Sequence, residues 1–201
     1  KIKMIEFENL CSEKPFQLIK RKFDEAKKAG QKDIEAISIS SYSKTDGEVN
    51  ARYVNLKKII DTEFIFFTNY NSQKANDFMG HDQITALIFW NSINLQIRIK
   101  AKVQKTSIAF NNEYFAVRSA KKNALAISSN QSKIIDSYKS IEERYNKTLK
   151  NNNLQKCPDY WGGYAFTPTY IEFWEGHKHR INKRDVYKLE DKNWNNFILQ
   201  P

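Results

Sequence analysis

The chain has 201 residues, 40% apolar, 13% aromatic and 28% charged, with 33 Lys and Arg against 23 Asp and Glu for a net charge of +10. That length suits one domain that buries roughly 70% of its unfolded surface, and it excludes both a short disulfide scaffold and a disordered chain. No apolar run approaches the roughly 20 residues of a membrane-spanning helix.

The first ten residues lack a continuous apolar stretch, so no signal peptide is expected, and residues 1–14 read as a flexible N-terminal arm. Residues 14–30 predict an amphipathic helix. Phe16, Ile19, Phe23 and Ala26 share one face, Pro15 suits the first turn, and Gly30 stops it. Beyond Gly30 the apolar period changes from 3.6 to 2. Residues 35–43, 47–59 and 63–69 predict strands, with Asp46-Gly47 as a hairpin turn. Ser72 is placed to cap a short helix through Lys74 to Met79, closed by Gly80. Strands follow at 84–90 and 94–104. In the latter, Leu95, Ile97, Ile99, Ala101 and Val103 alternate with Gln96, Arg98, Lys100 and Lys102.

Residues 107–117 predict a helix, and residues 133–150 another that carries Ile134, Tyr138, Ile141, Tyr145 and Leu149 at three- and four-residue steps. The remaining chain predicts three more strands. Short adjacent strands with flanking helices point to an α+β domain with an antiparallel barrel-like sheet spanning residues 1–201.

The positive charge is dispersed and no nucleic-acid-binding motif accompanies it, so no nucleic-acid partner is expected. Cys11 and Cys157 form no metal or disulfide pattern, which places the chain in a reducing, cytoplasmic setting with no membrane partner. His177 and His179 lack a third ligand at a supporting spacing, so no metal site is expected. Hydrolase, P-loop and dinucleotide motifs are absent from the sequence.

What remains is a set of basic and amide side chains at strand ends and helix starts. Arg52 and Lys57 are five apart and point to opposite faces of a regular strand, so a shared ligand requires the strand to twist or end between them. Lys74 opens a helix, where free N–H groups favour a phosphate, and Gln131 and Ser132 are read as a second helix start of the same kind. Together they describe a protein able to hold a phosphorylated aromatic ligand.

The stretches Arg52 to Lys57, Phe67-Thr68 with Gln73-Lys74, Gln96, Tyr114 with Arg118, Gln131-Ser132, Trp161-Gly162-Gly163, and Ile171 to Trp174 followed by Arg180 and Arg184 occur in a specific order. In this order the sequence resembles the pyridoxine (pyridoxamine) 5'-phosphate oxidase family from about Pro15 to Pro201. The resemblance implies a split β-barrel homodimer with FMN at the subunit interface. Arg52 and Lys74 would grip the FMN phosphate with Ser132, and Gln73 stands where an assisting Arg is usual. Tyr53, Val54, Asn55, Leu56, Lys57, Phe67, Thr68, Gln96, Gln131, Trp174 and Arg184 would surround the ring and ribityl chain. Lys57, Tyr114 and Arg118 match residues that hold the substrate phosphate, and Lys122 stands where a Ser is usual. Arg180 matches an arginine over the reacting carbon, and Asn182 replaces the usual substrate-contacting His.

The implied reaction converts pyridoxamine or pyridoxine 5'-phosphate to pyridoxal 5'-phosphate with molecular oxygen as acceptor, giving hydrogen peroxide. Asn182, Lys122 and Lys183 also admit a diverged FMN-dependent oxidoreductase acting on another reduced substrate, as in phenazine-pathway relatives, or a non-catalytic flavin binder.

Overall fold

Alternation along one strand organises the molecule. In the computed structural model, which describes residues 4–151 and 153–201, the apolar set Leu95, Ile97, Ile99, Ala101 and Val103 is buried. The strand that carries it, β6 (Leu95–Lys105), pairs antiparallel with β5 (Gln83–Trp90) and β7 (Trp161–Glu175). β5 aligns Ile84, Ala86, Ile88 and Trp90 on the same inner face. The other strands are β1 (Glu6–Glu8), β2 (Ala36–Ser43), β3 (Glu48–Ile60), β4 (Glu63–Asn69), β8 (Lys183–Glu190) and β9 (Asn193–Leu199). The sheet order is β1-β3-β2-β5-β6-β7-β8-β9, and β4 pairs with both β3 and β7. The pairings β3-β2-β5-β6-β7-β4-β3 therefore form a closed circuit around the core.

Five α-helices flank this sheet among the described residues: α1 (Lys14–Lys28), α2 (Gln73–Gly80), α3 (Ile108–Val117), α4 (Ala120–Ser128) and α5 (Tyr138–Asn151). The protein is thus α+β, and no helix among the described residues is long and apolar enough to cross a membrane. On α1 the predicted face is the buried one. Phe16 meets Phe64 of β4 and Trp194 of β9, while Phe23 meets Trp90 of β5. Each such ring removed from water stabilises the fold by about 2–3 kcal/mol. Gly30, at φ 77°, and Gly47, at φ 71°, occupy left-handed turns that a side chain would strain.

Three expectations are corrected. Most of the segment read as a flexible arm is anchored: β1 runs parallel to β3, Ile5 is buried, and Leu10 and Cys11 pack on the core (residues 1–3 lie outside the described set). The helix expected from residue 133 begins at Tyr138 and leaves Ile134 fully exposed, while α4, whose apolar pattern is weak, went unread. Gln131 and Ser132 consequently sit in a turn after α4, with Ser132 at φ 69°, and not at a helix start.

The parity conflict between Arg52 and Lys57 resolves at a β-bulge. Leu56 pairs with Phe66 and Lys58 with Ile65, so Lys57 is the extra residue on β3. A bulge re-aims the strand and brings both cations to one cleft.

The pair Gly162-Gly163 also has a physical role. Asn111 on α3 accepts hydrogen bonds from the Gly163 N–H (2.8 Å) and the Thr106 hydroxyl (2.6 Å), and its Nδ2 donates to Tyr70 Oη (3.1 Å). The Tyr70 hydroxyl in turn donates to the Gly163 carbonyl at 3.0 Å. A Cβ on Gly162 would lie 2.2 Å from Tyr70 Oη and 2.4 Å from Asn111 Nδ2. Gly162→Ala is therefore expected to cost about 1–3 kcal/mol, read as a fall in Tm of several degrees. An unchanged Tm would show that the network does not pin α3 to β7.

Candidate functional site

A cleft of about 620 Å³ opens where β3, the end of β4, the start of α2, helices α3 and α4 and the 131–132 turn converge. It gathers fourteen of the residues nominated from sequence: Arg52, Tyr53, Val54, Asn55, Lys57, Phe67, Thr68, Gln73, Lys74, Tyr114, Arg118, Lys122, Gln131 and Ser132. Asn50 and Ala51 also line it, although nothing in the sequence singled them out. Leu56 does not line the cleft with its side chain, which is fully buried in the core where the strand's alternation sends it.

At one end the cleft is a charge trap. Lys74, only 7% exposed, donates from Nζ to Thr68 Oγ1 (3.1 Å) and Ser72 Oγ (3.2 Å), both neutral acceptors. Ser72 precedes α2 but makes no side-chain cap, contrary to expectation, because its hydroxyl serves the lysine. Arg52 donates to Ser41 Oγ at 2.6 Å and reaches Asp77 Oδ2 at 3.5 Å, and the Ser41 hydroxyl donates to that same carboxylate oxygen at 2.7 Å. Asp77 thus pairs with Arg52 and acts on Lys74 only through its field. Burial, reinforced by the neighbouring Arg52, pushes the Lys74 ammonium down to about 8, against the opposing pull of Asp77. Asp77 went unread in the sequence; its only signal was an acid one helical turn after Lys74.

The other end is aromatic and basic. Tyr114 stacks on Phe67 with centroids 3.7 Å apart and planes 5° apart, and Phe67 lies parallel to Trp161 at 5.2 Å. The Arg118 guanidinium sits 4.4 Å above the Trp161 ring, and its Nη1 donates to Asn123 Oδ1 at 3.0 Å. Buried Asn123 donates in turn to the Phe115 and Leu154 carbonyls, so the arginine's anchor is itself fixed. Burial lowers the pKa of Arg118 and raises that of Tyr114. Lys57 lies 3.6 Å from the buried Glu35 carboxylate. Gln131 Oε1 accepts from the Thr68 hydroxyl (3.3 Å) and the Asn69 N–H (3.4 Å), which ties the turn to the strand that also serves Lys74. Such a site offers cations and hydroxyls to an anion and flat walls to a ring.

Besides Leu56, five nominated residues do not line this cleft. Gln96, Trp174 and Arg184 form a row across β6, β7 and β8, with Gln96 opposite Trp174 and Trp174 opposite Arg184. Arg180 and Asn182 occupy the loop between β7 and β8. Buried Glu172 anchors the row, accepting from Arg184 Nε (2.7 Å), the Tyr170 hydroxyl (2.8 Å) and Arg98. These cations hold its carboxyl below the usual range, although burial pulls the other way. Glu172 was missed as a determinant; its alternation with the buried Ile171 and Phe173 was the available signal.

An α+β sheet protein with a recessed cleft lined by cations, hydroxyls and aromatic rings is the class that these features define. Residues 23–149 match the family described as Pyridoxamine 5'-phosphate oxidase, and residues 161–201 match the Pyridoxine 5'-phosphate oxidase C-terminal dimerisation region. A Pyridoxine/pyridoxamine 5'-phosphate oxidase of Leptospira biflexa is 35% identical over 190 residues, covering 93% of this chain and 89% of the relative. A second, from Trichormus variabilis, is 35% identical over 191 residues, covering 93% and 88%. The chain belongs to the pyridoxamine 5'-phosphate oxidase family, whose members are flavin-dependent oxidoreductases. PhzG from Burkholderia lata, solved with tetrahydrophenazine-1-carboxylic acid, shares the fold at a TM-score of 0.88 and 23% identity over 94% of this chain and 93% of that one. A pyridoxamine 5'-phosphate oxidase-related, FMN binding protein from Nostoc punctiforme aligns at a TM-score of 0.77 with 10% identity, over 94% and 99%.

The lowered pKa of Lys74 has a pH consequence. A bound phosphate favours the protonated lysine and raises its pKa, so affinity is full below pH 8 and falls as pH rises above it, by up to about tenfold per unit. With FMN as a phosphate-bearing probe, calorimetric titration of the ligand-free protein between pH 7 and 9.5 is expected to show this loss where the phosphate meets Lys74. In Lys74→Met, affinity at pH 7 should drop by about tenfold or more, and the pH dependence above 8 should flatten. A wild-type affinity that stays constant to pH 9.5 would contradict the assignment.

Proposed function

We propose that this protein is an FMN-dependent oxidase that converts pyridoxamine or pyridoxine 5'-phosphate to pyridoxal 5'-phosphate, acting as a split β-barrel homodimer. The single observation that carries the reading is that one cleft gathers the coupled pair Arg52 and Lys74 together with two further cations, Lys57 and Arg118. Two phosphates, one from a cofactor and one from a substrate, account for these cations.

The residues present fit FMN. Lys74 is buried against two hydroxyls and the nearby carboxylate pairs with Arg52, so a phosphate dianion would supply the missing negative charge. Arg52 and Lys74 would hold that phosphate, with Ser132 and Gln73 at the rim. The backbone of β3 from Tyr53 to Lys57, with Phe67, Thr68 and Gln131, would line the ribityl chain and one side of the ring. When bound, FMN would supply the two-electron acceptor for hydride from the substrate's C4' carbon, with molecular oxygen as the terminal acceptor and hydrogen peroxide as its product.

Lys57, Tyr114, Arg118 and Lys122 would hold the substrate phosphate. The stacked rings beneath Arg118 fix its direction, which limits the substrate to one orientation. Gln96, Trp174, Arg180 and Arg184 lie outside the cleft of their own chain, and a second copy would bring them to it. The match of residues 161–201 to a dimerisation region supports that arrangement. So do Val49 and Tyr53, which are 73% and 77% exposed on the outer face of β3 beside the cleft.

A second reading has one specific observation behind it. Asn182 turns its side-chain oxygen to the backbone N–H of His177 at 3.0 Å, and this favours a diverged flavoprotein that oxidises a different substrate. Purified protein reconstituted with FMN should oxidise pyridoxamine or pyridoxine 5'-phosphate with stoichiometric aldehyde and peroxide. Arg118→Ala should raise KM for the phosphorylated substrate by about tenfold or more while FMN stays bound. Bound flavin with no turnover of either ester would favour the second reading.

A further inference from the structure

The loop that carries Arg180, residues 176–182, is built around one residue, His177. Its N–H donates to Asn182 Oδ1 at 3.0 Å, its carbonyl accepts from the Arg180 N–H at 2.9 Å, and its ring Nδ1 lies 3.2 Å from the N–H of His179, which donates to it. The partner of Asn182 is a backbone N–H, so the contacting atom of the amide is fixed as the oxygen. The root of the loop is clamped separately. Gly176 donates to the Asn94 carbonyl at 3.0 Å, and a Cβ on Gly176 would lie 2.2 Å from Asn94 Nδ2.

Arg180 itself sits at φ 62°, a left-handed conformation that a non-glycine residue adopts at a cost of about 1–2 kcal/mol. A loop largely exposed to water keeps such a conformation only where local bonds over-determine it. Within the turn, the Arg180 and His179 N–H groups both bond to His177, and the Asn182 side chain fixes His177 from the far side of the arginine.

We infer that Asn182 is a positioning residue: through the His177 N–H, it holds Arg180 in its left-handed conformation and so sets the direction in which the guanidinium leaves the loop. Asn182 does its work without titrating, since an amide offers an acceptor at every pH at which the protein is folded. The pair His177 and His179 acquires a role of the same kind, as the hub and a strut of the turn. The link from loop geometry to catalysis rests on the placement of Arg180 over the substrate proposed above. The latch itself does not.

The test compares Asn182→Leu, a near-isostere without an acceptor, and Asn182→Ala with Asn182→Asp, which keeps the acceptor oxygen. Two readouts are taken on the FMN-loaded protein: amide hydrogen exchange at His177 and Arg180, and steady-state oxidation of pyridoxamine 5'-phosphate. Leu and Ala are expected to speed exchange at both amides by about tenfold or more and to lower kcat by a similar factor, with KM and FMN affinity little changed. Asp should restore protection and bring kcat to within about threefold of wild type. Unchanged exchange in Leu and Ala overturns the latch, and faster exchange with unaltered kcat overturns the positioning of Arg180. A wild-type protein that binds FMN but oxidises neither B6 ester removes the substrate role of Arg180, while the exchange comparison still decides whether Asn182 holds the loop.

Discussion

A buried lysine beside a half-buried arginine sets the terms for this molecule. Asp77 pairs with Arg52 and pulls on Lys74 only through its field, while burial and the neighbouring arginine weaken the lysine's hold on its proton. A fold does not assemble such a cluster for its own stability, because an unmatched buried charge costs more than an apolar side chain of the same size. The neutral hydroxyls of Ser41, Thr68 and Ser72 orient the two cations without neutralising them. What results is a preorganised cationic pocket, and on the proposed reading a dianion would complete it.

The rest of the architecture directs that receptor. The closed circuit of strands fixes β3 and β4 side by side, and the bulge at Lys57 turns a second cation into the same cleft. The Tyr70–Asn111–Gly163 network sets α3 against β7, which places Tyr114 flat on Phe67 and Arg118 over Trp161. Across the sheet, Glu172 gathers Arg98 and Arg184 beside Trp174. Asn111 and Glu172 are buried polar side chains whose hydrogen bonds tie distant elements together.

Strands and their faces were legible in the sequence wherever one side is buried, since Leu95 to Val103 could alternate in only one way. The amphipathic face of α1 was legible for the same reason. Helix α4 was not, because its buried residues, Asn123 and Ala124, are a polar anchor and a small side chain that carry little hydrophobic signal. The late start of α5 misplaced Gln131 and Ser132 on a helix end, although both still reach the cleft. Arg52 and Lys57 looked incompatible by parity, and only pairing across β4 reveals the extra residue. Asp77, Glu172 and Asn123 act through tertiary partners distant in the chain, which no local pattern records. The resemblance to a known family located the cleft residues, and the structure places Gln96, Trp174, Arg180, Asn182 and Arg184 away from them.

The central claim is that one copy supplies the cleft and another supplies the face bearing Trp174 and Arg184. Mixed dimers test it most directly. Lys74→Met disables the cleft and Arg184→Leu disables the opposite face, and each variant alone should purify with little flavin. Co-expressed, they should regain FMN absorbance in roughly a quarter of sites, since half of the dimers are mixed and each mixed dimer has one intact site. Flavin content no higher than in either variant alone would contradict a site shared between copies.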